Sequence, residues 1–172
     1  MKNIWLFIYY AFAQHLPMQP LPGFRLYYKI RLALVKRIIH RCGKNVVVKN
    51  KCYFGDGSRL SVGDYSQLGQ NARIAGKVSI GSYVMMGPDV VMMAVTHDIS
   101  DTSKPMIDPS HPSLEKPITI GNNVWIGTRV IILPGVTIGD NTVIGSGAVV
   151  TKSFSGNSII GGVPAKFIKT KQ

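Results

Sequence analysis

A six-residue period constrains this chain more than any other feature. From Val62 an aliphatic residue returns at every sixth position, as Val62, Leu68, Ile74, Ile80, Met86 and Met92. After a gap it resumes as Ile120, Ile126, Ile132, Ile138, Ile144 and Val150. The next residue is glycine in eight of these twelve hexads, and the fifth residue is small or β-branched in eleven. A period of six fits neither the ~3.6 of a helix nor the alternation of a half-buried strand. It is the period of a β-helix, in which short strand and turn recur and three hexads make one triangular coil. In that geometry the aliphatic side chain points into the prism and stacks on its copy one coil above. The fifth residue also points inward, and the glycine sits at a corner where a Cβ would clash. Each coil buries its apolar face only against its neighbours, so several are needed. Val48 and Phe54 start two earlier hexads, offset by Leu60 and Ser61, which places the prism over residues 46 to 160. The expected fold is therefore an all-β repeat, with a helical N-terminal segment (1–45), a long loop at 98–119 and a short C-terminal extension within a domain spanning 46–172.

At 172 residues the chain can hold one domain with a sizeable core. Cys42 and Cys52 have neither metal nor redox spacing, which suits a reducing compartment. No apolar run reaches the ~20 residues of a membrane span. The charge is placed unevenly. Of a net +12, residues 1–52 carry ten Lys and Arg and no Asp or Glu, so the rest of the chain is nearly neutral. Within this segment Ile4 to Ala13 is apolar and aromatic, Pro17, Pro20 and Pro22 interrupt it, and a helix is expected from Phe24 to Arg41. Leu26, Ile30, Leu34 and Ile38 give that helix one apolar stripe, and Gly43 suits its stop. A basic amphipathic helix beside an aromatic segment suits an anionic membrane surface, met through residues 1–41. A helical cap over the open end of the prism is a plainer reading, compatible with the first. The segment is too short for a cleaved signal peptide. No nucleic-acid module accompanies the basic charge, so no nucleic acid is expected as a partner.

The repeat breaks after His97 and resumes at Ile120, leaving a proline-rich excursion over 98–119. Long irregular excursions from a compact repeat usually carry function. His97 stands where the wall gives way to the loop, and an imidazole there can take a proton from a hydroxyl. An ordinary surface histidine is the competing reading on chemistry alone. His15 and His40 lie in the basic segment and His111 lies inside the loop, so they are weaker candidates.

Several runs carry a resemblance. Gly121-Asn122-Asn123-Val124-Trp125-Ile126-Gly127, Ile132 to Asp140, Val149-Val150-Thr151-Lys152 and Gly162-Val163-Pro164-Ala165-Lys166, with Thr96-His97 ahead of the loop, resemble the hexapeptide-repeat acyltransferases. More narrowly they resemble the acetyl-CoA-dependent O-acetyltransferases related to galactoside and maltose acetyltransferases. The resemblance implies a left-handed β-helix, homotrimers with active sites between subunits, acetyl-CoA as co-substrate, and His97 as catalytic base. It further implies that Trp125 flanks the acetyl end of CoA and that Thr128 and Ser146 contact the pantetheine through their backbone. Thr151 and Lys152 would follow along the groove, and Lys166 and Lys169 would lie near the nucleotide phosphates, where positive charge suits a polyanion. Lysine at the first of these positions, where the family more often has arginine, keeps the charge but lacks the bidentate fork. Relatives often carry an Asn at the position of Gly69. Asn71, two residues on, is the alternative contact for the acceptor, and Asp98 is placed to orient the imidazole, a task a backbone carbonyl could equally perform.

The basic, aromatic start looks more like O-acetyltransferases of capsule, exopolysaccharide or lipopolysaccharide synthesis than like galactoside, maltose or serine acetyltransferases. The expected acceptor is therefore a saccharide hydroxyl, on a free sugar, a nucleotide sugar or a lipid carrier, and the expected location is cytoplasmic, either free or peripheral on the inner membrane. Two other readings stand beside it: an antibiotic O-acetyltransferase of the chloramphenicol or streptogramin kind, and a non-catalytic scaffold. A metal enzyme of the γ-type carbonic anhydrase kind is poorly supported because the wall lacks its histidines, and no metal is expected.

Overall fold

The structure is a computed structural model that describes residues 2–98, 100, 103, 105, 107, 108, 110 and 112–171. His111 therefore lies outside the described residues.

From residue 41 the chain winds as a parallel β-solenoid with three walls. Wall one is a five-stranded sheet of Arg41–Cys42, Leu60–Val62, Val78–Ile80, Ile118–Ile120 and Thr137–Ile138. Wall two runs through Met85–Met86, Trp125–Ile126, Val143–Ile144 and Ser158–Gly161, and ends on the antiparallel strand Lys166–Thr170. Its lower part is the pair Val47–Val48 and Gln67–Leu68, joined to the rest by the Gln67 N–H donating to the Val84 carbonyl at 2.9 Å. Wall three stacks Arg73–Ala75, Val91–Met93, Ile131–Ile132 and Val149–Val150.

The register is the one the period predicts. Val62, Ile80, Ile120 and Ile138 pair in line on wall one, and Met86, Ile126, Ile144 and Ile160 on wall two. Ile74, Met92, Ile132 and Val150 do so on wall three. All twelve side chains are buried. The fifth hexad residues Ser66, Ala72, Val78, Val84, Val90, Val124, Val130, Val136, Thr142 and Ala148 are buried too, while Thr96 is not, because the chain leaves the prism before it. Glycine follows the aliphatic residue because of crowding. A Cβ on Gly63 would lie 2.6 Å from the Gly81 backbone, and one on Gly127 2.6 Å from the Ser146 nitrogen. The left-handed backbone falls two residues later, at Tyr65, Tyr83, Asn123 and Asn141 on one corner and Asn71, Asp89 and Arg129 on the next.

Two helices cover the first coils. The apolar run forms α1 (Lys2–Ala11), and α2 spans Phe24–Ile38. The expected end of the second helix at Arg41 is corrected: Arg41 and Cys42 enter wall one, and Gly43 is a corner residue whose Cβ would meet the Gly63 backbone at 2.6 Å. The expected stripe is also rotated. Leu34 and Ile38 are buried, but with Arg31 and Val35, while Leu26 and Ile30 face outward. The reason is Arg31, whose guanidinium donates to the carbonyls of Val48 (2.8 Å), Leu16 (2.8 Å) and Pro17 (3.4 Å). Three backbone acceptors turn a charged residue inward, against its hydropathy. The Tyr9 hydroxyl donates to the Cys52 carbonyl at 2.8 Å, and the Tyr10 hydroxyl to the Gly55 carbonyl at 2.7 Å, seating α1 on the same coils.

Candidate functional site

The excursion after wall three is shorter than the sequence suggests. Val95–His97 pairs antiparallel with Ser113–Glu115, so a two-stranded stem closes the loop and the solenoid resumes at Ile118. Its root is pinned. The Lys116 N–H donates to the Ala94 carbonyl at 2.8 Å. The Glu115 carboxylate accepts from the Lys77 N–H at 2.8 Å and pairs with Arg59 at 3.0 Å. Sequence reasoning missed Glu115, whose partners lie 38 and more residues earlier and follow no period.

His97 faces Ser113 across the stem and is exposed, standing out from the corner between walls three and one. Among the described residues its ring has no hydrogen-bond partner. Asp98 donates its N–H to the Pro112 carbonyl at 3.1 Å, and its carboxylate accepts the Ser100 N–H at 2.9 Å. The acid is thus engaged in the turn that follows the stem.

The other candidates lie elsewhere on the surface. Trp125 projects from wall two, about half exposed, between Met85 and Val143 in register. Further up that wall Ile159 pairs with Lys169, and Lys166 opens the same exposed strand. Trp125 and Lys169 are three strand spacings apart, about 14 Å. A cavity of about 470 Å³ lined by Ile159, Lys169, Thr170 and Lys171 opens there, and Lys171 is a basic residue the sequence did not single out. Thr128 and Ser146 meet at the corner between walls two and three, the Thr128 N–H donating to Ser146 Oγ at 3.2 Å. Thr151 and Lys152 follow wall three, with the Lys152 ammonium 5.8 Å from the centre of the Phe154 ring.

Asn71 sits at the same corner as Thr128, two coils lower. Its amide donates to Asp89 at 2.9 Å, and Asp89 approaches Arg129 at 4.0 Å, so it belongs to a corner ladder. Gly69 has no room for a side chain, because a Cβ there would collide with the Gly87 carbonyl. One protomer thus brings Thr128 together with Ser146, and Trp125 onto one wall with Lys166 and Lys169. It holds His97, Thr151 and Lys152 at a different corner.

Cysteine chemistry is unfavourable. Cys52 is fully buried, which pushes its thiol up to about 12, and burial also raises Cys42. Among the described residues no three His, Cys, Asp or Glu side chains come together in a way that could hold a metal ion.

With this geometry, comparison with known proteins defines the class. The family model described as bacterial transferase hexapeptide (six repeats) matches residues 117–152. Galactoside O-acetyltransferase of Escherichia coli (strain K12) is 38% identical over 148 residues, covering 81% of this chain and 68% of that protein. WcaF of the same strain, provisionally named a colanic acid biosynthesis acetyltransferase, is 30% identical over 147 residues, covering 84% of this chain and 76% of that one. Among solved structures, a galactoside acetyltransferase in complex with coenzyme A superposes with a TM-score of 0.74 at 30% identity, covering 99% of this chain and 79% of that one. The chain belongs to the hexapeptide-repeat acetyltransferases and is an acyltransferase.

Proposed function

We propose that the chain is an acetyl-CoA-dependent sugar O-acetyltransferase in which His97 is the general base of a direct transfer. The observation that carries this is the stem. It holds one exposed histidine off the prism, while the half-exposed Trp125 and the lysine-lined cavity occupy another wall. Trp125, the Thr128–Ser146 corner and the lysines lie on another wall and corner of the protomer than His97, which supports a homotrimer with sites between subunits. Residues 46–172 carry the transferase part, and 1–45 hold the helical cap and the first strand of wall one, Arg41–Cys42.

In the proposed reaction, His97 takes the proton of an acceptor hydroxyl as that oxygen attacks the thioester carbonyl. Collapse of the tetrahedral adduct breaks the carbon–sulfur bond, and His97 returns the proton to the departing thiolate. No acyl-enzyme is needed, in keeping with two cysteines that burial keeps protonated. Backbone N–H groups of the groove stabilise the oxyanion, with Thr151 and Lys152 further along the cofactor and Asn71 and Asp98 toward the acceptor. The likeness to WcaF and the basic N-terminal segment support a surface-polysaccharide acceptor on a lipid carrier, at the cytoplasmic face of the inner membrane, with residues 1–41 meeting anionic lipid.

The test is thiol release from acetyl-CoA with free sugars, nucleotide sugars, lipid-linked saccharides and chloramphenicol, on wild type and His97→Ala. Acceptor-dependent release is expected, with His97→Ala slower by about 10²–10⁴-fold and equally stable, since the ring is exposed. Equal rates would remove His97 as the base. Release with chloramphenicol alone would move the acceptor to antibiotics, and absence of both acetyl-CoA binding and release would leave a scaffold.

A further inference from the structure

The sequence offers residues 1–41 as a whole, aromatic segment and basic helix together, to an anionic membrane surface. The structure separates the two helices by what each leaves exposed. The best apolar turn of α2, Leu34, Val35 and Ile38, is buried against the prism. By contrast α1 is apolar on both sides. Tyr9 is buried and Trp5, Leu6 and Tyr10 pack inward, yet Ile4 (57%), Phe7 (65%) and, just past its end, Phe12 (64%) are exposed. The Phe7 and Phe12 rings meet edge to face at 6.2 Å, forming one patch. On α2, packed beside α1 with Arg37 over the Trp5 ring at 5.1 Å, Leu26 and Ile30 are exposed as well.

A helix that is apolar all round is normally buried in protein or lipid. This one has ten residues, about half of what a span needs, and among the described residues no helix is long and apolar enough to cross a membrane. An exposed aromatic patch of this kind marks a docking surface. Its surroundings select the occupant. Arg25, Lys29 and Lys36 are exposed on α2 and Arg41 just beyond it, and residues 1–52 hold no acid. A second copy of this face would bring like charges together, whereas an anionic bilayer offers acyl chains to the phenylalanines and headgroup charge to the basic rim.

We propose that α1 lies in the plane of an anionic bilayer, inserting Ile4, Phe7 and Phe12 at the headgroup–acyl boundary, with the basic face of α2 at its edge. The prism then stands on the membrane by its first coils. This deepens the reading of a lipid-borne acceptor and rests on it for its purpose, but its test does not use catalysis.

The full-length protein is sedimented with vesicles of phosphatidylglycerol and phosphatidylcholine, and with phosphatidylcholine alone. Wild type is expected to bind the first and not the second. Phe7→Glu is expected to weaken binding by tenfold or more, about the effect of losing one inserted apolar group and adding a like charge. Lys29→Glu is expected to weaken it by roughly fivefold. Both side chains are exposed, so melting should not change, and Ile4→Ser serves as a second insertion variant. Thiol release with a water-soluble acceptor should persist in all three. Wild type left in the supernatant with both vesicles, or Phe7→Glu binding like wild type, overturns the proposal. So does a Phe7→Glu protein that changes its mass in solution without any vesicle binding, because the patch then belongs to a second copy. Vesicle binding without acetyl transfer would instead count against the catalytic reading alone.

Discussion

The prism and its helical cap are held by different physics. From Leu60 upward the buried side chains of the prism are aliphatic or thioether apart from the hydroxyls of Ser66, Thr142 and Ser158, each hydrogen-bonded to a nearby carbonyl. The joint with the cap is polar, aromatic and titratable. Burial raises the Tyr9 and Tyr10 hydroxyls and the Cys52 thiol there, and holds the Arg31 guanidinium below its ordinary value. Repetition spreads stability over many equivalent contacts, so no single coil residue is decisive. The joint occurs once, and single groups decide it.

Arg31→Ala should give the largest stability loss of the substitutions compared here. It strips the donor from three carbonyls, two of them at 2.8 Å, and leaves a void. A loss of about 3 kcal/mol or more in denaturant unfolding is expected. Ile132→Val, one methyl from the centre of the prism, should cost only about 1 kcal/mol. Comparable losses from the two would break the contrast between joint and prism.

Gly69→Asn comes next and asks whether the prism has any decisive positions of its own. The new Cβ meets the Gly87 carbonyl, a backbone atom fixed by the coil above. A loss of about 1–3 kcal/mol is expected, the usual cost of overpacking, read as a lower melting point. An unchanged melting point would mean that the coils slide to make room. Trp125→Ala should have a smaller effect still. The ring is half exposed, so stability should hold while KM for acetyl-CoA rises roughly tenfold, about 1.4 kcal/mol. An unchanged KM would make Trp125 mere cover for wall two.

The same contrast explains what was legible in the sequence. The register from Val62 to Val150 could be read because each hexad repeats one local rule, and the structure pairs those residues in line. The cap could be read as helical but not oriented. Leu26 and Ile30 satisfy the helical period as well as Val35 does, and the choice between them rests on carbonyls of Leu16 and Val48 that no pattern announces. At the site, His97 stood out because the period stops there. The stem that holds it did not, since Ser113–Glu115 is too short to show alternation and Glu115 acts through Arg59 and Lys77 far back in the chain.

Alkaline pH offers the finest test of the joint. The Cys52 thiol ordinarily ionises at 9.0 and is pushed up to about 12 by burial, and the Tyr9 and Tyr10 hydroxyls are raised in the same direction, chiefly by burial. In each case the unfolded chain gives up its proton at a lower pH than the folded one. Stability is therefore complete below the unfolded value and falls as pH rises toward the folded one. Because all three groups sit where α1 meets the first coils, the helical circular-dichroism signal should melt earlier than the strand signal between about pH 9 and about pH 12. Cys52→Ala should flatten the start of that decline, and Tyr9→Phe its later part, at the expense of the hydrogen bond to the Cys52 carbonyl. If the double variant declines as steeply as wild type, neither Cys52 nor Tyr9 sets the alkaline limit of the joint.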